Sequence, residues 1–173
     1  MRDSIEYTKW EEIANAVIHG IGILFGIFAL VFLIVTHYKS SDLYDMISYI
    51  VYGSSLIILY LASTLYHGIP IQKAKIHLRK FDHASIFILI AGTYTPISMI
   101  ALRGKLGWTI LITIWAIALL GIIFKVFFIN KLKIISVIMY LAMGWLIIFA
   151  IKPLIIALSV KSIVFMIIGG LFY

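Results

Sequence analysis

Five long segments of the chain contain no aspartate, glutamate, lysine or arginine. They cover residues 13–38, 46–72, 83–102, 106–124 and 134–151. A helix needs about 20 mainly apolar residues to cross the ~30 Å hydrocarbon core of a bilayer. Unpaired backbone groups are too costly in lipid, so such segments cross as helices or as a closed barrel. They lack strict alternation of polar and apolar residues, which argues against a barrel.

The composition excludes several classes of protein. Hydrophobic residues make up 64% of the 173 residues and charged residues 12%, with a mean hydropathy of +1.14. Soluble domains carry about 25% charged residues, and disordered chains combine low hydrophobicity with high net charge. The net charge of +7 does not indicate a nucleic-acid partner, because the basic residues lie in short segments between spans. The chain has no cysteine, which excludes disulfides and thiolate chemistry.

We therefore predict an all-α fold, a polytopic transmembrane helix bundle that forms one domain over residues 1–173. It has five full helices, at 13–36, 46–67, 83–101, 106–129 and 134–151, and a partial sixth helix at 155–173. Short connections predict antiparallel neighbours. Acidic residues among the first eleven argue against a cleaved signal peptide, so the first span should remain as an anchor.

The distribution of lysine and arginine predicts the orientation. If the N-terminus is inside, the inner segments hold nine such residues and the outer segments five. The positive-inside rule then predicts a multi-pass protein of the cell membrane with a cytoplasmic N-terminus. Segment 68–81 carries four of the nine, and it could also bind anionic headgroups. Membrane lipids are thus the expected partners.

Polar side chains from three helices are expected at one membrane depth. The first helix carries three of them on one face, at spacings i, i+3 and i+7, and the second carries two at i and i+4. The third contributes one at its start. The start of helix 1, the end of helix 2 and the start of helix 3 all lie on the cytoplasmic side. The residues are Glu12, Asn15, His19, Ser63, His67 and Asp82.

An ionisable group inside a span indicates a functional site by default. His67 could ligate zinc, Asp82 could ligate it or deprotonate a metal-bound water, and Ser63 could support the ligand. Glu12, Asn15 and His19 would line the pocket. The alternatives are solvation among the headgroups, or for His19 a structural hydrogen bond between helices. No HxxxH or HExxH motif occurs in the chain, so spacing alone indicates zinc only weakly.

Other polar or special residues have simpler explanations. His37, His77 and His83 are interpreted as interfacial, and on a helix His83 points about 100° away from Asp82. Pro96 predicts a kink in the third helix, with neighbouring threonines satisfying freed carbonyls. The glycines at 22 and 26, and those at 169 and 170, predict close approach between helices.

Four segments resemble the bacterial haemolysin III proteins, part of the wider progestin and adipoQ receptor family. They are EEIANAVIHGIG (11–22), ASTLYH (62–67), KFDHASIFILIAGTYTP (80–96) and YLAMGW (140–145). The resemblance covers nearly the whole chain, and the first three motifs in this order are specific to the family.

The resemblance implies a seven-helix fold with a zinc site near the cytoplasmic side. It implies that His67 is a zinc ligand, that Ser63 lies near the metal and that Asp82 holds the metal-bound water. The other implied ligands are two histidines of an HxxxH motif in a seventh helix, which this sequence lacks. The chain therefore resembles a C-terminally truncated member with an incomplete site, in which His19 could act as a substitute ligand.

Three functions are compatible with these features. The first is a zinc-dependent hydrolase of amide bonds in lipids, which the receptor branch of the family suggests. The second is a membrane-disrupting cytolysin, which the haemolysin name suggests, although no amphipathic pore-lining helix is present. The third is a non-enzymatic membrane sensor or lipid homeostasis factor whose polar cluster binds metal or headgroups.

Overall fold

The structure is a computed structural model that describes residues 7–40, 42–128 and 133–171. No strand occurs in this part of the chain. Five helical segments are long and apolar enough to cross a membrane, and a shorter apolar helix follows them over Val160–Gly170. The predicted all-α transmembrane bundle, with five full helices and a partial sixth, is therefore confirmed.

The first two helices begin with side-chain caps. Helix α1 (Lys9–His37) starts with a capping box, in which the hydroxyl of Thr8 accepts from the Glu11 N–H and the Glu11 carboxylate accepts from the Thr8 N–H. A 3₁₀ turn (Tyr38–Ser40) follows it. Helix α2 (Leu43–Gly68) is capped by Asp42, which accepts from the Tyr44 N–H at 2.9 Å. These bonds satisfy amides that a helix start leaves unpaired.

The third and fourth helices form the centre of the bundle. Helix α3 (Gln72–Pro96) continues as a π-helical turn (Ile97–Ala101). Gly104, with φ +113°, then turns the chain into helix α4 (Lys105–Phe128). Positive φ is strained for residues with a side chain, which explains a glycine at this turn.

The last part of the chain is less regular. Helix α5 (Lys133–Trp145) passes through a 3₁₀ segment (Leu146–Ala150) into helix α6 (Ile151–Ala157), and helix α7 spans Val160–Leu171. The fifth apolar segment, Ile134–Ala157, is thus broken into three pieces. The predicted uninterrupted helices at 134–151 and 155–173 are therefore wrong in detail, and residues 129 and 172–173 of the predicted helices lie outside the described residues.

Successive helices pack against each other, with the most extensive contacts between α1 and α2, α2 and α3, and α3 and α4. The largest fully buried side chains are Phe87, Ile114, Met143 and Leu154, so the core lies around α3 and α4. The expected close approach at Gly22 is confirmed, because a Cβ there would lie 2.6 Å from the Tyr60 ring. It is wrong for Gly169 and Gly170, which have no described atom within 4 Å of such a Cβ.

Helix α3 begins at Gln72, whereas the apolar pattern predicted its start at residue 83. Seven of the eleven residues 72–82 are lysine, arginine, glutamine, alanine or leucine, which are all strong helix formers. The apolar run marks the part of a helix that lies in lipid, and the helix continues beyond it. Asp82 consequently lies in the third turn of α3, and most of the presumed loop 68–81 is helical.

The end of α3 partly follows the prediction made from Pro96. Regular α-helical bonding ends there, and the Leu102 N–H donates to the Ile97 carbonyl at 2.9 Å across the π turn. The Thr95 hydroxyl donates to the Ala91 carbonyl at 2.9 Å. Threonine back-bonding is therefore present, although this bond does not reach the carbonyl four residues before the proline.

Candidate functional site

The polar site lies where α1 begins, α2 ends and α3 begins. Glu12 is in the first turn of α1 and His67 is in the last turn of α2. Only residues 69–71 separate α2 from α3, so the first turn of α3 brings Lys75 to the same end of the bundle. Antiparallel packing of successive helices therefore assembles the site.

The Glu12 carboxylate joins all three helices. Its Oε2 lies 2.7 Å from Nδ1 of His67, and its Oε1 accepts from the ammonium of Lys75. The side chains of His67, Lys75 and Glu12 are 7%, 18% and 21% exposed. Ion pairs shielded in this way lose less attraction to solvent than surface pairs do.

This contact determines which ring nitrogen of His67 carries the proton. A carboxylate paired with a lysine ammonium is ionised and can only accept hydrogen bonds. Nδ1 of His67 must therefore donate to Glu12. In the neutral imidazole, Nε2 then keeps its lone pair, which is the state that binds a metal ion or accepts a proton.

His19 is the second imidazole of the site. Its ring lies nearly parallel to that of His67, with ring centroids 6.2 Å apart and planes 8° apart. Nδ1 of His19 is buried and has no hydrogen-bond partner among the described residues. A buried nitrogen without a partner is uncommon in proteins and indicates a missing ligand or water.

Aromatic rings surround His67. The ring of Tyr7 packs edge-on with a centroid separation of 5.3 Å, and the ring of Tyr66 lies 4.7 Å away. The ammonium of Lys75 lies 5.4 Å from the centre of the Tyr66 ring, within the range of a cation–π contact. These rings limit access of water to the ion pairs.

Asp82 contacts His83 and not His67, the residue with which it was expected to form the zinc site. Its Oδ2 lies 3.3 Å from Nδ1 of His83, and no hydrogen bond or ion pair between described residues joins it to His67. The prediction that His83 points away from Asp82 is therefore wrong. Adjacent side chains of a helix can meet when their flexible ends bend toward each other. Asp82 is 17% exposed.

Ser63 and Asn15 occupy the expected faces without taking part in the ion pairs. Ser63 is buried on α2, one turn before His67. Asn15 is half-buried on α1, between Glu12 and His19. The structure therefore brings Glu12, His19 and His67 into direct proximity and keeps the other three predicted residues at the same end of the bundle.

Three residues of the site were not identified from the sequence, namely Lys75, Tyr7 and Tyr66. Lys75 was counted only as a topological charge of the segment 68–81. Its spacing to Asp82, seven residues or two helical turns, would have placed both on one face of a helix. That signal required knowing that α3 begins at Gln72.

The chemistry of the donors agrees with zinc, whereas their number does not. Imidazole and carboxylate are zinc ligands, and catalytic sites usually have three protein ligands. No group of three histidine, aspartate or glutamate side chains in the described ranges is arranged to hold a metal ion. The described residues thus provide a partial donor set, the two imidazoles, and they do not form a closed catalytic metal site.

Comparison with known proteins supports the resemblance found in the sequence. A family model described as "Haemolysin-III related" matches residues 7–173. A hemolysin-3 homolog of Bacillus subtilis is 46% identical over 167 residues, covering 96% of this chain and 78% of that protein. Hemolysin-3 of Bacillus cereus is 47% identical over 163 residues, covering 94% and 74%.

A more distant relative is the human monocyte to macrophage differentiation factor. It is 29% identical over 145 residues, which cover 80% of this chain and 59% of that protein. No solved structure matches the chain. The family match and the bacterial relatives extend over almost the whole sequence, and the five apolar helices agree with a membrane location. This chain therefore belongs to the haemolysin III family of membrane proteins.

Proposed function

We propose that this protein binds a zinc ion at the polar site, with Nε2 of His67 as a ligand. The contact between Glu12 and His67, 2.7 Å long, carries the proposal. A histidine that ligates a metal almost always donates its other ring N–H to a carboxylate or carbonyl, which orients the ring and increases its basicity. Glu12 occupies this position, and it is itself held by Lys75.

His19 supplies a second nitrogen in the proposal. Its Nδ1 is buried without a partner, and its ring faces that of His67. Because the lone pairs of an imidazole lie in the plane of its ring, both observations support a ligand at the edges of the two parallel rings. Further donors would come from Asp82, from water or from groups outside the described residues.

The proposal is tested by measuring zinc in the purified full chain by mass spectrometry of the metal. We expect His67→Ala to lose the metal. His37→Ala is the matched control, because His37 lies in the last turn of α1, away from the polar site, and this variant should retain the metal. Glu12→Gln should weaken zinc affinity by roughly 10- to 100-fold, as changes to such supporting carboxylates do. Equal zinc in the wild type and His67→Ala would remove His67 from the ligand set.

The proposed activity is hydrolysis of amide bonds in membrane lipids, at the cytoplasmic side of the cell membrane. A bound zinc ion would supply Lewis-acid polarisation of a carbonyl. Asp82, partly buried at the same end of the bundle, would act as the proton-accepting group, and Ser63 would line the site. Membrane lipids are the proposed substrates, because the helices that form the site carry exposed apolar side chains on their outer faces.

A ceramide carrying a fluorescent acyl chain tests the activity in detergent micelles with added zinc. Release of the acyl chain that stops in Asp82→Asn and continues in His37→Ala would support hydrolysis. An absence of release from zinc-loaded wild type would contradict it.

A second function, a non-enzymatic membrane sensor, is favoured by the lack of a three-ligand group in the described residues. Catalytic zinc sites usually have three protein ligands, and the two imidazoles provide fewer. A cellular response to lipid composition that persists in Asp82→Asn and disappears in His67→Ala would support this function over hydrolysis.

A further inference from the structure

A cavity lies at the end of the bundle opposite the polar site. The start of α2, the π turn at the end of α3 and the start of α4 enclose it. Its volume is about 180 Å³, enough for a group of the size of a glycerol ester. The residues that line it include Tyr44, Ser98, Met99, Arg103, Trp108 and Leu111.

The hydroxyl of Ser98 has no hydrogen-bond partner among the described residues, although Ser98 is only 1% exposed. Ser55 and Thr95 on the same helices donate to carbonyls of their own helix. Ser48 of α2 is also buried without a partner among the described residues, but it does not line the cavity. A buried donor that makes no such bond, and that lines a cavity, indicates an acceptor on a ligand. Ser98 also lies in the π turn, a feature that is frequent at functional sites.

Arg103 lies at the mouth of this cavity. Its guanidinium forms two bonds with the Asp42 carboxylate, at 2.7 and 3.0 Å, and it lies 4.6 Å from the centre of the Tyr44 ring. Arginine has five N–H donors, so these two bonds leave others for a second acceptor. The side chain is 53% exposed, and arginine is well suited to bind phosphate oxygens.

The order of these groups along the chain corresponds to the layers of a phospholipid. Ser98 lies in the π turn, and Arg103 lies beyond it in the turn that leads to α4. In a glycerophospholipid the phosphate likewise lies further towards the membrane surface than the ester carbonyls. The aromatic rings of Tyr44 and Trp108, which pack edge-on with centroids 6.4 Å apart, are typical of the membrane interface.

We propose that this cavity binds the glycerol-phosphate region of a membrane phospholipid. The phosphate contacts Arg103, an ester carbonyl accepts a hydrogen bond from Ser98, and the acyl chains continue along the apolar surface of the bundle. The site is separate from the polar site at His67, and it does not depend on zinc.

Native mass spectrometry of the full chain in detergent tests the proposal, with dioleoyl phosphatidylglycerol as the probe. We expect Arg103→Gln to weaken retention of one lipid roughly tenfold or more, since it removes a charged donor. Ser98→Ala should weaken retention by roughly several-fold. Lys105→Gln is the control, because it also removes one positive charge at this end of the bundle. Lys105 does not line the cavity, so this variant should retain the lipid as the wild type does.

Asp42→Asn distinguishes an effect on lipid binding from an effect on folding. It weakens the ion pair between Asp42 and Arg103, as Arg103→Gln does, but it leaves the guanidinium of Arg103 in place. Retention of lipid equal to or above wild type supports the proposal, and a loss equal to that of Arg103→Gln overturns it. Unchanged retention in Ser98→Ala, or equal losses in Arg103→Gln and Lys105→Gln, also overturn it. Displacement of the lipid by inorganic phosphate, but not by chloride at equal ionic strength, would assign the site to free phosphate instead.

Discussion

The carboxylate of Glu12 lies 2.7 Å from Nδ1 of His67, although 55 positions separate the two residues in the sequence. The second oxygen of the same carboxylate binds Lys75. One side chain of α1 thus connects the end of α2 to the start of α3. This connection links the three helices that form the polar site.

Glu12→Gln should therefore destabilise the helix bundle as well as weaken metal binding. The amide keeps the size of the side chain but loses the charge that attracts Lys75 and the ionised acceptor for His67. We expect a loss of about 1–3 kcal/mol, the range for a largely buried group that loses its partner. Unfolding of the protein in mixed micelles with increasing dodecyl sulfate measures it.

Glu11→Gln is the matched control, because the bonds of Glu11 to other described residues all lie within the capping box of α1. It should change stability little, since glutamine also serves in a capping box. Equal effects of the two substitutions would mean that the connection through Glu12 does not stabilise the bundle.

Tyr94→Phe should destabilise the broken fifth span. The hydroxyl of Tyr94 donates to the Met143 carbonyl at 2.8 Å and accepts from the Ile147 N–H at 2.9 Å. Both backbone groups flank the point where α5 changes to a 3₁₀ segment. Leaving them unpaired inside the membrane costs about 1–3 kcal/mol, measurable by the same unfolding assay.

Tyr140→Phe provides a comparison on the same helix. The Tyr140 hydroxyl donates to the His83 carbonyl at 2.9 Å, and that carbonyl lies within the regular part of α3. We expect a smaller effect than for Tyr94→Phe. A larger effect would show that the hydroxyl of Tyr94 does not support the helix break.

Gly92→Ala should force α2 and α3 further apart and so destabilise the protein. A Cβ at position 92 would lie 2.6 Å from the Cβ of Ser55, a contact that no side-chain rotation relieves. Overpacking of this kind typically costs about 1–3 kcal/mol, and a thermal melt of the purified protein measures it. Gly144→Ala, where no described atom lies within 4 Å of the new Cβ, should be neutral or stabilising. Similar losses for both variants would contradict the close approach at Gly92.

The ion pair between Asp42 and Arg103 predicts a pH dependence of stability. Hydrogen bonds from Arg103 and from the Tyr44 amide lower the pKa of Asp42 below its ordinary value of 3.8. A lowered pKa means that the folded state favours the carboxylate, so the stabilisation is complete above pH 3.8. It is lost as the pH falls below that value through the pKa of the folded state.

Thermal melts of the wild type and Asp42→Asn between pH 3 and pH 7 measure this contribution. The difference between the two melting temperatures should be largest near neutral pH and should shrink in acid. Asp45→Asn, a change of a neighbouring carboxylate, controls for general loss of negative charge. A difference that does not vary with pH would mean that the ion pair contributes no pH-dependent stability.

The sequence by itself determined that this is a helical membrane protein with five crossing segments, and it identified the level at which polar residues gather. Both follow from the cost of exposing charges and unpaired backbone groups to lipid, which acts on each segment separately. His19 and His67 could be identified for the same reason, because ionisable groups within apolar runs are conspicuous. Glu12 lies one position before such a run and shares a helix face with His19.

Only the tertiary structure decided which of these residues meet. Whether Lys75 or Asp82 joins the contact with His67 depends on where α3 begins and on how far it rotates against α2, and no local propensity encodes that rotation. The break after Trp145 depends equally on a hydroxyl that arrives from α3 to satisfy freed backbone groups. Such contacts join residues that are distant in sequence, so their energies become defined only when the helices pack.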